Sequence, residues 1–321
     1  VLGTTSGQSV RVAMGAAVAT ATASNPNFTL SGVADRALDL VATKGVISTS
    51  QANVSIAPDQ VIIRRALNPA SGSSIPALDF PSAAFAPTTS NLTVSNSTAG
   101  DLFNVASTFL TSTSTYGVVH AAQPGTTSAT LYSVPAGQML PGDLHEVLVE
   151  SYQPGFSTGR TNVAYVGAVS DRTETLAPVL SNPTVSTLTA TPYLRLRGLL
   201  PVQPEYPAAS QFVFYQAPAT GPERLVFIAV TSGYLGGTPV GNWDVVVPDF
   251  GTIFGLNANW MLAPGSVIFQ VEAYAGRGPL LFGALPVAGD VVRVAYRVQT
   301  TSAFLRAQVP PFHNRLQYLR R

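Results

Sequence analysis

Two segments in the last two thirds of the chain each occur twice, and they recur in the same order. Residues 85–96 (FAPTTSNLTVSN) return as residues 176–187 (LAPVLSNPTVST), with seven of twelve positions identical at an offset of 91. Residues 139–152 begin with Met-Leu and end with Val-Glu-Ser-Tyr, and they return at an offset of 122 as residues 261–274, which end with Val-Glu-Ala-Tyr. The larger second offset predicts two successive copies of one domain, the second with residues inserted in its interior.

The repeats divide the chain of 321 residues into an N-terminal part, two copies and a tail. A chain of this length is expected to hold two or three domains. We place them at residues 1–75, 76–177 and 178–300, followed by a basic tail at 301–321, with the insertion of the second copy within 232–259. If the copies are equivalent, three further pairs should correspond: residues 116–132 with 212–228, residues 163–169 with 291–298, and Tyr152 with Tyr274.

Short apolar runs between closely spaced turn residues indicate β-strands throughout the chain. It contains 25 prolines and 27 glycines, which leave no room for long helices. Residues 163–169 (VAYVGAV) and 224–230 (RLVFIAV) are typical of strands, and the second run has the pattern of a fully buried one. The sequence therefore predicts an all-β protein of three tandem antiparallel β-sandwich domains. In size and strand spacing the two copies are similar to immunoglobulin and fibronectin type III domains.

The N-terminal part carries a resemblance of its own. Residues 28–33 (FTLSGV) followed by 38–42 (LDLVA) resemble the end of a transthyretin-like, or carboxypeptidase-regulatory-like, module, in which an F-x-L-x-G-V turn leads into an alternating strand. The resemblance implies a seven-stranded sandwich with a mainly structural role for residues 1–75. Residues 68–74 (NPASGSS) then form a linker or a long hairpin loop.

The chain carries few charges for its size. Charged residues make 10% of it and hydrophobic residues 46%, whereas a typical globular domain has roughly 25% charged residues. Such a protein covers its surface with uncharged polar residues or hides part of it against a partner. We therefore expect an extended contact surface of at least about 1,000 Å². The net charge of +1 gives no footprint for nucleic acid, and the absence of cysteine excludes disulfides and thiolate metal sites.

Motifs for catalysis or for cofactor and metal binding are scarce. His145-Glu146 lacks the second histidine of an H-E-x-x-H zinc site, and no G-x-S-x-G elbow, dinucleotide fingerprint or calcium loop is present. Asp143, His145, Glu146 and Glu150 lie close in sequence, but residues of alternating parity in a strand point to opposite faces. We predict no catalytic residue, no cofactor and no metal site.

The inserted segment of the second copy is rich in aromatic residues, and these are our candidates for contact with a ligand or a protein partner. The candidates are Tyr234, Trp243, Phe250 and Phe254, with Trp260 just after the insertion. Aromatic residues on a loop of a sandwich can stack on sugar rings or anchor a protein partner. The alternative, which we favour for Trp243 and Trp260, is that the tryptophans face the core, since residues 243–247 alternate as in a strand.

The tail at residues 301–321 is basic, because no acidic residue follows Asp290. Its partner-binding candidates are Arg315, Arg320 and Arg321. Such a segment can dock on an acidic partner or on anionic lipid head groups. The other interpretation is a terminus that packs against its own domain. The sequence leaves both open.

Composition and strand pattern favour an exported bacterial protein of the periplasm or the cell surface. The chain starts at Val1, as it would after removal of a signal peptide or of a leader that carried a lipid anchor, and equally if the sequence had been trimmed. No apolar stretch is long enough to predict a transmembrane segment. We expect a non-enzymatic structural or accessory protein of the cell envelope that acts through protein–protein contacts or self-assembly, for example as an extrinsic subunit of a membrane-embedded complex. A carbohydrate-binding or adhesive module that uses the aromatic insertion is the alternative.

Overall fold

The computed structural model describes residues 1–300 apart from 51–52, 69, 71, 121–126, 219–220, 252–256 and 277–284. The regular secondary structure of this part is almost entirely β, in sheets whose pairings are mostly antiparallel, which confirms the predicted all-β fold class. The strands are β1 (Gln8–Met14), β2 (Ala17–Thr22), β3 (Leu38–Ser50), β4 (Asn53–Leu67), β5 (Thr88–Ser95), β6 (Leu102–Leu110), β7 (Tyr116–His120), β8 (Ser128–Ser133), β9 (Leu144–Tyr152), β10 (Thr158–Val166), β11 (Arg172–Thr175), β12 (Thr184–Thr189), β13 (Arg195–Pro201), β14 (Ala209–Gln216), β15 (Arg224–Thr231), β16 (Asn242–Val246), β17 (Ile268–Ala275) and β18 (Val291–Thr300). The helical pieces are α1 (Phe80–Ala83) and 3-10 turns at Ala136–Gln138 and Ala258–Trp260.

The N-terminal part forms one antiparallel sheet of four strands in the order β2-β1-β3-β4, which we call the N-terminal sheet. Leu78 and Phe80, which follow the sheet in the chain, pack on residues such as Val12 and Leu40 on one of its faces. The transthyretin-like resemblance implies seven strands in two sheets, and the described residues of this part depart from that. The physical reason is length, since β3 and β4 have 13 and 15 residues and form one long hairpin where several short strands were expected.

The first copy forms a sandwich in which the three-stranded sheet β11-β5-β8 packs against β6 and β9. Strand β5 is central and pairs in parallel with β11 and antiparallel with β8. The core between the two sheets consists of Leu92, Val94, Phe103, Val105, Ala129, Leu131, Val147, Val149 and Leu176.

The second copy forms a similar sandwich from β12-β13-β16 and the strands β14, β15, β17 and β18. Its core is larger and more aromatic, and it includes Tyr206, Phe212, Phe214, Trp243 and Phe269. Strands β13 and β14 approach each other closely at Gly198, where a Cβ atom would lie 2.6 Å from the ring of Phe212. This glycine therefore permits the close packing of the two sheets.

A single eight-stranded sheet runs through both copies in the order β15-β14-β17-β18-β10-β9-β6-β7. The copies join where β10 pairs antiparallel with β18, over seven residue pairs from Thr158–Arg297 to Ala164–Val291. On each side of this junction lie four strands from one copy. The two predicted domains at residues 76–177 and 178–300 thus share one sheet.

The order of pairing is the same in both copies for most of their length. Strands β5 to β10 and β13 to β18 follow one another with equivalent partners, and in each a 3-10 turn precedes the penultimate strand. Tyr152 and Tyr274 occupy corresponding places, since each lies opposite the first residue of its neighbouring strand, Leu102 or Ala209. The two copies thus share one pairing order over these six strands.

Two of the expected equivalences differ from the observed pairing. Residues 116–132 hold β7 and β8, whereas residues 212–228 hold parts of β14 and β15, which correspond to β6 and β7. Residues 85–96 contain β5, but the similar residues 176–187 lead into β12 and not into the equivalent of β5. Strand β12 pairs with β13, as β11 pairs with β5. The physical reason is that β11 comes from the end of the first copy and β12 from the start of the second.

Strand β15 does not have the environment that its apolar sequence predicts. The run at residues 224–230 was expected to be fully buried, but β15 is the outer strand of the eight-stranded sheet. Val226 faces the core, while Leu225 and Phe227 on the opposite side are each 47% exposed. The run is apolar on both faces although only one of them packs against the sandwich core.

An ionic cluster joins the N-terminal sheet to the first sandwich. Arg65 Nη1 lies 2.8 Å from Asp39 Oδ2, and Arg65 Nη2 lies 2.7 Å from Asp143 Oδ2. The Asp143 carboxylate also accepts two backbone N–H groups. Burial acts to lower the pKa of Arg65, but the hydrogen bonds and charges of Asp143 and Asp39 outweigh it and raise that pKa. The cluster therefore fixes β3 and β4 against the turn that precedes β9.

We predict that Arg65→Ala lowers the free energy of unfolding by about 2 to 3 kcal/mol, because it leaves two buried carboxylates without their shared cation. Urea unfolding would measure the loss. Arg197→Ala is the matched control, since it also removes an arginine–aspartate pair, with Asp244, but both side chains are more than 40% exposed. Its midpoint should stay close to the wild-type value. Equal midpoints for the two variants would contradict a structural role of the cluster.

A second ion pair lies at one end of the first sandwich. Arg160 Nη2 lies 2.5 Å from Asp101 Oδ2, and each side chain is 4% exposed. The Asp101 carboxylate also accepts hydrogen bonds from Ser151 Oγ at 2.6 Å and Gln153 Nε2 at 2.6 Å. Burial acts to raise the pKa of Asp101, but the hydrogen bonds from Ser151 and Thr98 and the charge of Arg160 hold it below its ordinary value of 3.8.

A lowered pKa in the folded state means that the ionised Asp101 stabilises the protein above its ordinary pKa and that this stabilisation is lost as the pH falls through the lowered value. We expect Asp101→Asn to be less stable than wild type at pH 7, with a difference that shrinks between about pH 4 and pH 2. Thermal unfolding across this range measures the difference. Asp35→Asn, at an exposed position, serves as the control. A constant difference at every pH would argue against the ion pair.

Candidate functional site

The eight-stranded sheet has a second face, directed away from both sandwich cores, and we call it the glutamate face. Alternation along the strands places Glu146 and Glu150 of β9 and Glu272 of β17 on it, together with Thr161 of β10 and Tyr296 of β18. The core residues of the same strands, such as those of β9 at positions 147 and 149, have the opposite parity. All charged residues that the described strands place on this face are glutamates.

Tyr296 lies at the centre of the glutamate face, on the strand that joins the two copies. It pairs with Glu272 on one side and with Gly159 on the other. A Cβ atom at Gly159 would lie 2.3 Å from the ring of Tyr296, so the ring lies over this glycine. The tyrosine thereby reaches across β10 toward Tyr152 and Glu150, which occupy the next strand.

Each copy contributes a similar group of polar residues around this tyrosine. In the first copy Asn104 Nδ2 donates to Glu150 Oε2 at 3.4 Å. In the second copy Gln211 Nε2 donates to Glu272 Oε2 at 3.4 Å. Glu272 also accepts hydrogen bonds from two further side chains on the face, Gln270 and Tyr274. The amide, carboxylate and tyrosine of the two groups occupy matching strand positions.

The carboxylates and the burial of the face keep its phenols protonated. Burial, followed by the charges of Glu150 and Glu272, raises the pKa of Tyr296 far above its ordinary value. Burial and the adjacent Glu272 likewise raise the pKa of Tyr274. At neutral pH these side chains are hydroxyl groups that both donate and accept hydrogen bonds. The Tyr296 hydroxyl is buried, and it makes no hydrogen bond within the described part of the chain.

An apolar cluster flanks the polar groups on the side of the first copy. It consists of buried side chains of the same face: Leu110, Leu144, Val163, Tyr165 and Val292. Tyr165 donates its hydroxyl hydrogen to Glu146 Oε2 at 3.0 Å. The glutamate face thus offers carboxylate and hydroxyl oxygens beside an apolar surface, a combination suited to a cationic group with an apolar chain.

The structure separates the candidate aromatic residues of the second copy. Trp243 in β16 is 1% exposed and belongs to the core, as we favoured, so it is not available to a ligand. Trp260 lies in a 3-10 turn on the surface, and its side chain is 63% exposed. The expected core position is therefore wrong for Trp260. Tyr234 is 85% exposed in the turn after β15, and Phe250 is partly buried against the core. Phe254 lies outside the described residues.

The three tail candidates, Arg315, Arg320 and Arg321, also lie outside the described residues. Their role therefore stays a prediction.

The polar residues between positions 143 and 150 point to opposite faces of β9, as their parity indicates. His145 faces the first sandwich core, and its Nε2 accepts the backbone N–H of Val134 at 3.0 Å. Burial lowers the pKa of His145 to about 4, against the opposing effect of Asp143. Asp143 binds Arg65, and the glutamates at 146 and 150 belong to the other face. In the described residues no group of three metal-ligating side chains occurs.

Sequence reasoning did not identify the glutamate face, although one signal for it was present. The repeated Val-Glu-Ser-Tyr and Val-Glu-Ala-Tyr segments contain Glu150, Tyr152, Glu272 and Tyr274. These residues identify the two copies. A strand pattern alone does not reveal that the two segments belong to one continuous sheet.

Comparisons with known proteins do not assign a family. No protein-family model, curated protein or solved structure matches the chain. Within the described residues no helix is long and apolar enough to cross a membrane.

The two tryptophans allow a direct test of their placement. We expect Trp243→Ala to cost about 3 to 5 kcal/mol of folding free energy, because it empties a large volume in the second core. Trp260→Ala should leave the thermal midpoint almost unchanged, since its side chain is mostly exposed. Differential scanning calorimetry on both variants measures this difference. A Trp243→Ala protein of wild-type stability would refute the core assignment.

Proposed function

We propose that this chain is a non-enzymatic structural or accessory protein of the bacterial cell envelope, which acts through protein–protein contacts. This role takes one of two forms, self-assembly at the cell surface or an extrinsic subunit of a membrane-embedded complex. The observation that carries the proposal is the outer strand β15, an apolar strand edge at the end of a continuous eight-stranded sheet.

The exposed apolar residues concentrate in the second copy, and this supports a contact surface there. Of the 16 large hydrophobic residues that are exposed in the described part of the chain, 11 lie between residues 178 and 300. Single exposed apolar residues are common, whereas adjoining ones, such as those along β15, mark an interaction surface. The low charge content of the chain fits the same interpretation.

Strand β15 offers two means of binding at once. Its backbone edge faces away from β14, and an exposed edge is a template for pairing with a strand from another chain. Leu225 and Phe227 add exposed apolar side chains along this edge. We infer that the partner is a protein that adds a strand to β15, either a second copy or another envelope component.

The absence of cysteine and the scarcity of charged residues support the exported location that belongs to this proposal.

A carbohydrate-binding or adhesive role is the second candidate, and one observation favours it. Tyr234 and Trp260 are both exposed in the second copy, where aromatic rings can stack on sugars. Under this alternative, Trp260→Ala keeps its fold and loses binding to envelope polysaccharide.

We expect the double variant Leu225→Ser and Phe227→Ser to lose association with a partner strand, because it removes the apolar contacts beside the edge. Sedimentation velocity of the full chain measures self-association, and co-purification from an envelope extract measures binding to another protein. Val18→Ser with Val46→Ser is the matched control, since these exposed valines lie on the N-terminal sheet. If both double variants associate like the wild type, β15 is not the contact edge.

A further inference from the structure

The centre of the glutamate face has the features of a binding site for a guanidinium group. Glu150 and Glu272 approach Tyr296 from the two copies, and both carboxylates act on this tyrosine electrostatically. Tyr296 is 3% exposed, and its hydroxyl has no hydrogen-bond partner in the described residues. A buried polar group without a partner is costly, and it indicates a ligand that the described residues do not include.

The chemistry of the site favours arginine over other cations. Two carboxylates and one phenol oxygen present several acceptors across neighbouring strands, and a guanidinium group has five N–H donors in a planar fork. The neighbouring apolar residues, such as Val163 and Tyr165, can pack on the methylene groups of an arginine side chain. A compact divalent cation would not use this apolar surface.

The basic tail follows directly on the strand that carries Tyr296. The described chain ends at Thr300, four residues beyond Tyr296 on the central strand β18, and β18 lies between β17 and β10. The 21 residues from 301 to 321 can span at most about 70 Å when extended. The eight-stranded sheet is only about 34 Å wide, with strands about 4.8 Å apart. Every arginine of the tail is therefore within reach of the site.

Charge complementarity matches the tail to the face. The charged residues of the glutamate face are acidic, whereas the tail contains no acidic residue and four arginines: Arg306, Arg315, Arg320 and Arg321. We propose that the tail of the same chain crosses the glutamate face and that one of its arginines binds between Glu150 and Glu272, donating a hydrogen bond to the Tyr296 hydroxyl. This inference does not rest on the proposed function, since it concerns a contact within one chain.

Limited proteolysis of the full chain tests the contact. Chymotrypsin cleaves after Phe312 and Tyr318 in the tail, and its rate follows the fraction of molecules in which the tail is released. We expect the double variant Glu150→Gln and Glu272→Gln to be cleaved at these sites at least about tenfold faster than wild type. The matched control is Asp35→Asn with Glu223→Gln, which removes two exposed carboxylates and should be cleaved at the wild-type rate.

A variant in the tail itself keeps the test decisive if the glutamine variant does not fold. Changing all four tail arginines to glutamine alters no described strand and leaves the chymotrypsin sites in place. It should be cleaved as fast as the glutamine variant of the face. A wild-type cleavage rate for this tail variant would overturn the proposal.

The same assay separates a contact within one chain from a contact with another molecule. Protection within one chain is independent of protein concentration between about 1 and 100 μM. Protection that rises with concentration would assign the tail to a second copy and overturn the proposal. Protection that appears only after addition of vesicles with anionic head groups would assign it to a lipid surface and would also overturn it.

Discussion

The pairing of β10 with β18 is the interaction on which the rest of the structure depends. It joins two sandwiches edge to edge, so that their larger sheets become one sheet of eight strands. Tandem domains are usually joined only through a flexible linker, whereas these two sandwiches also pair strand to strand along seven residue pairs. The junction also needs Gly159, because any side chain there would meet the ring of Tyr296. Two domains that would otherwise be independent therefore share one face, and the polar groups of both copies meet across it.

That shared face is unusual because it combines burial with polarity. Carboxylates are rarely buried unless they are paired or hydrogen-bonded, since removing them from water is costly. Glu150 and Glu272 meet this condition in the same way, each through an amide side chain on the neighbouring strand. The two glutamates occupy equivalent strand positions. The pairing of β10 with β18 places them on either side of one tyrosine.

The sequence predicted the class of fold well and the connections poorly. Proline, glycine and short apolar runs were sufficient for an all-β protein, and the parity of residues 143–150 correctly placed His145 and Glu146 on opposite faces. The pattern could not show that β15 is an outer strand of the eight-stranded sheet. A run of residues that is apolar on both faces can lie at the edge of a sheet or in its centre. The two tryptophans show a similar limit. Alternation along β16 correctly identified Trp243 as buried, but Trp260 lies in a turn, where no periodicity indicates burial or exposure. The glutamate face depends on pairing between distant strands, which no local pattern encodes.

About a quarter of the few charged residues of this chain lie in its interior. The chain has 17 basic and 16 acidic residues, and eight of them are buried in the described part, among them Asp39, Asp143, Arg160 and Glu272. The interior thus uses charges to connect elements: Arg65 joins the N-terminal sheet to the turn before β9, and Arg160 closes one end of the first sandwich. The surface is consequently poorer in charge than the composition alone indicates. A surface this poor in charge is covered by uncharged polar side chains, such as those of serine, threonine and asparagine, or by contact with other protein segments. Such contacts would remove the most apolar surface from water at the exposed apolar residues of the second copy.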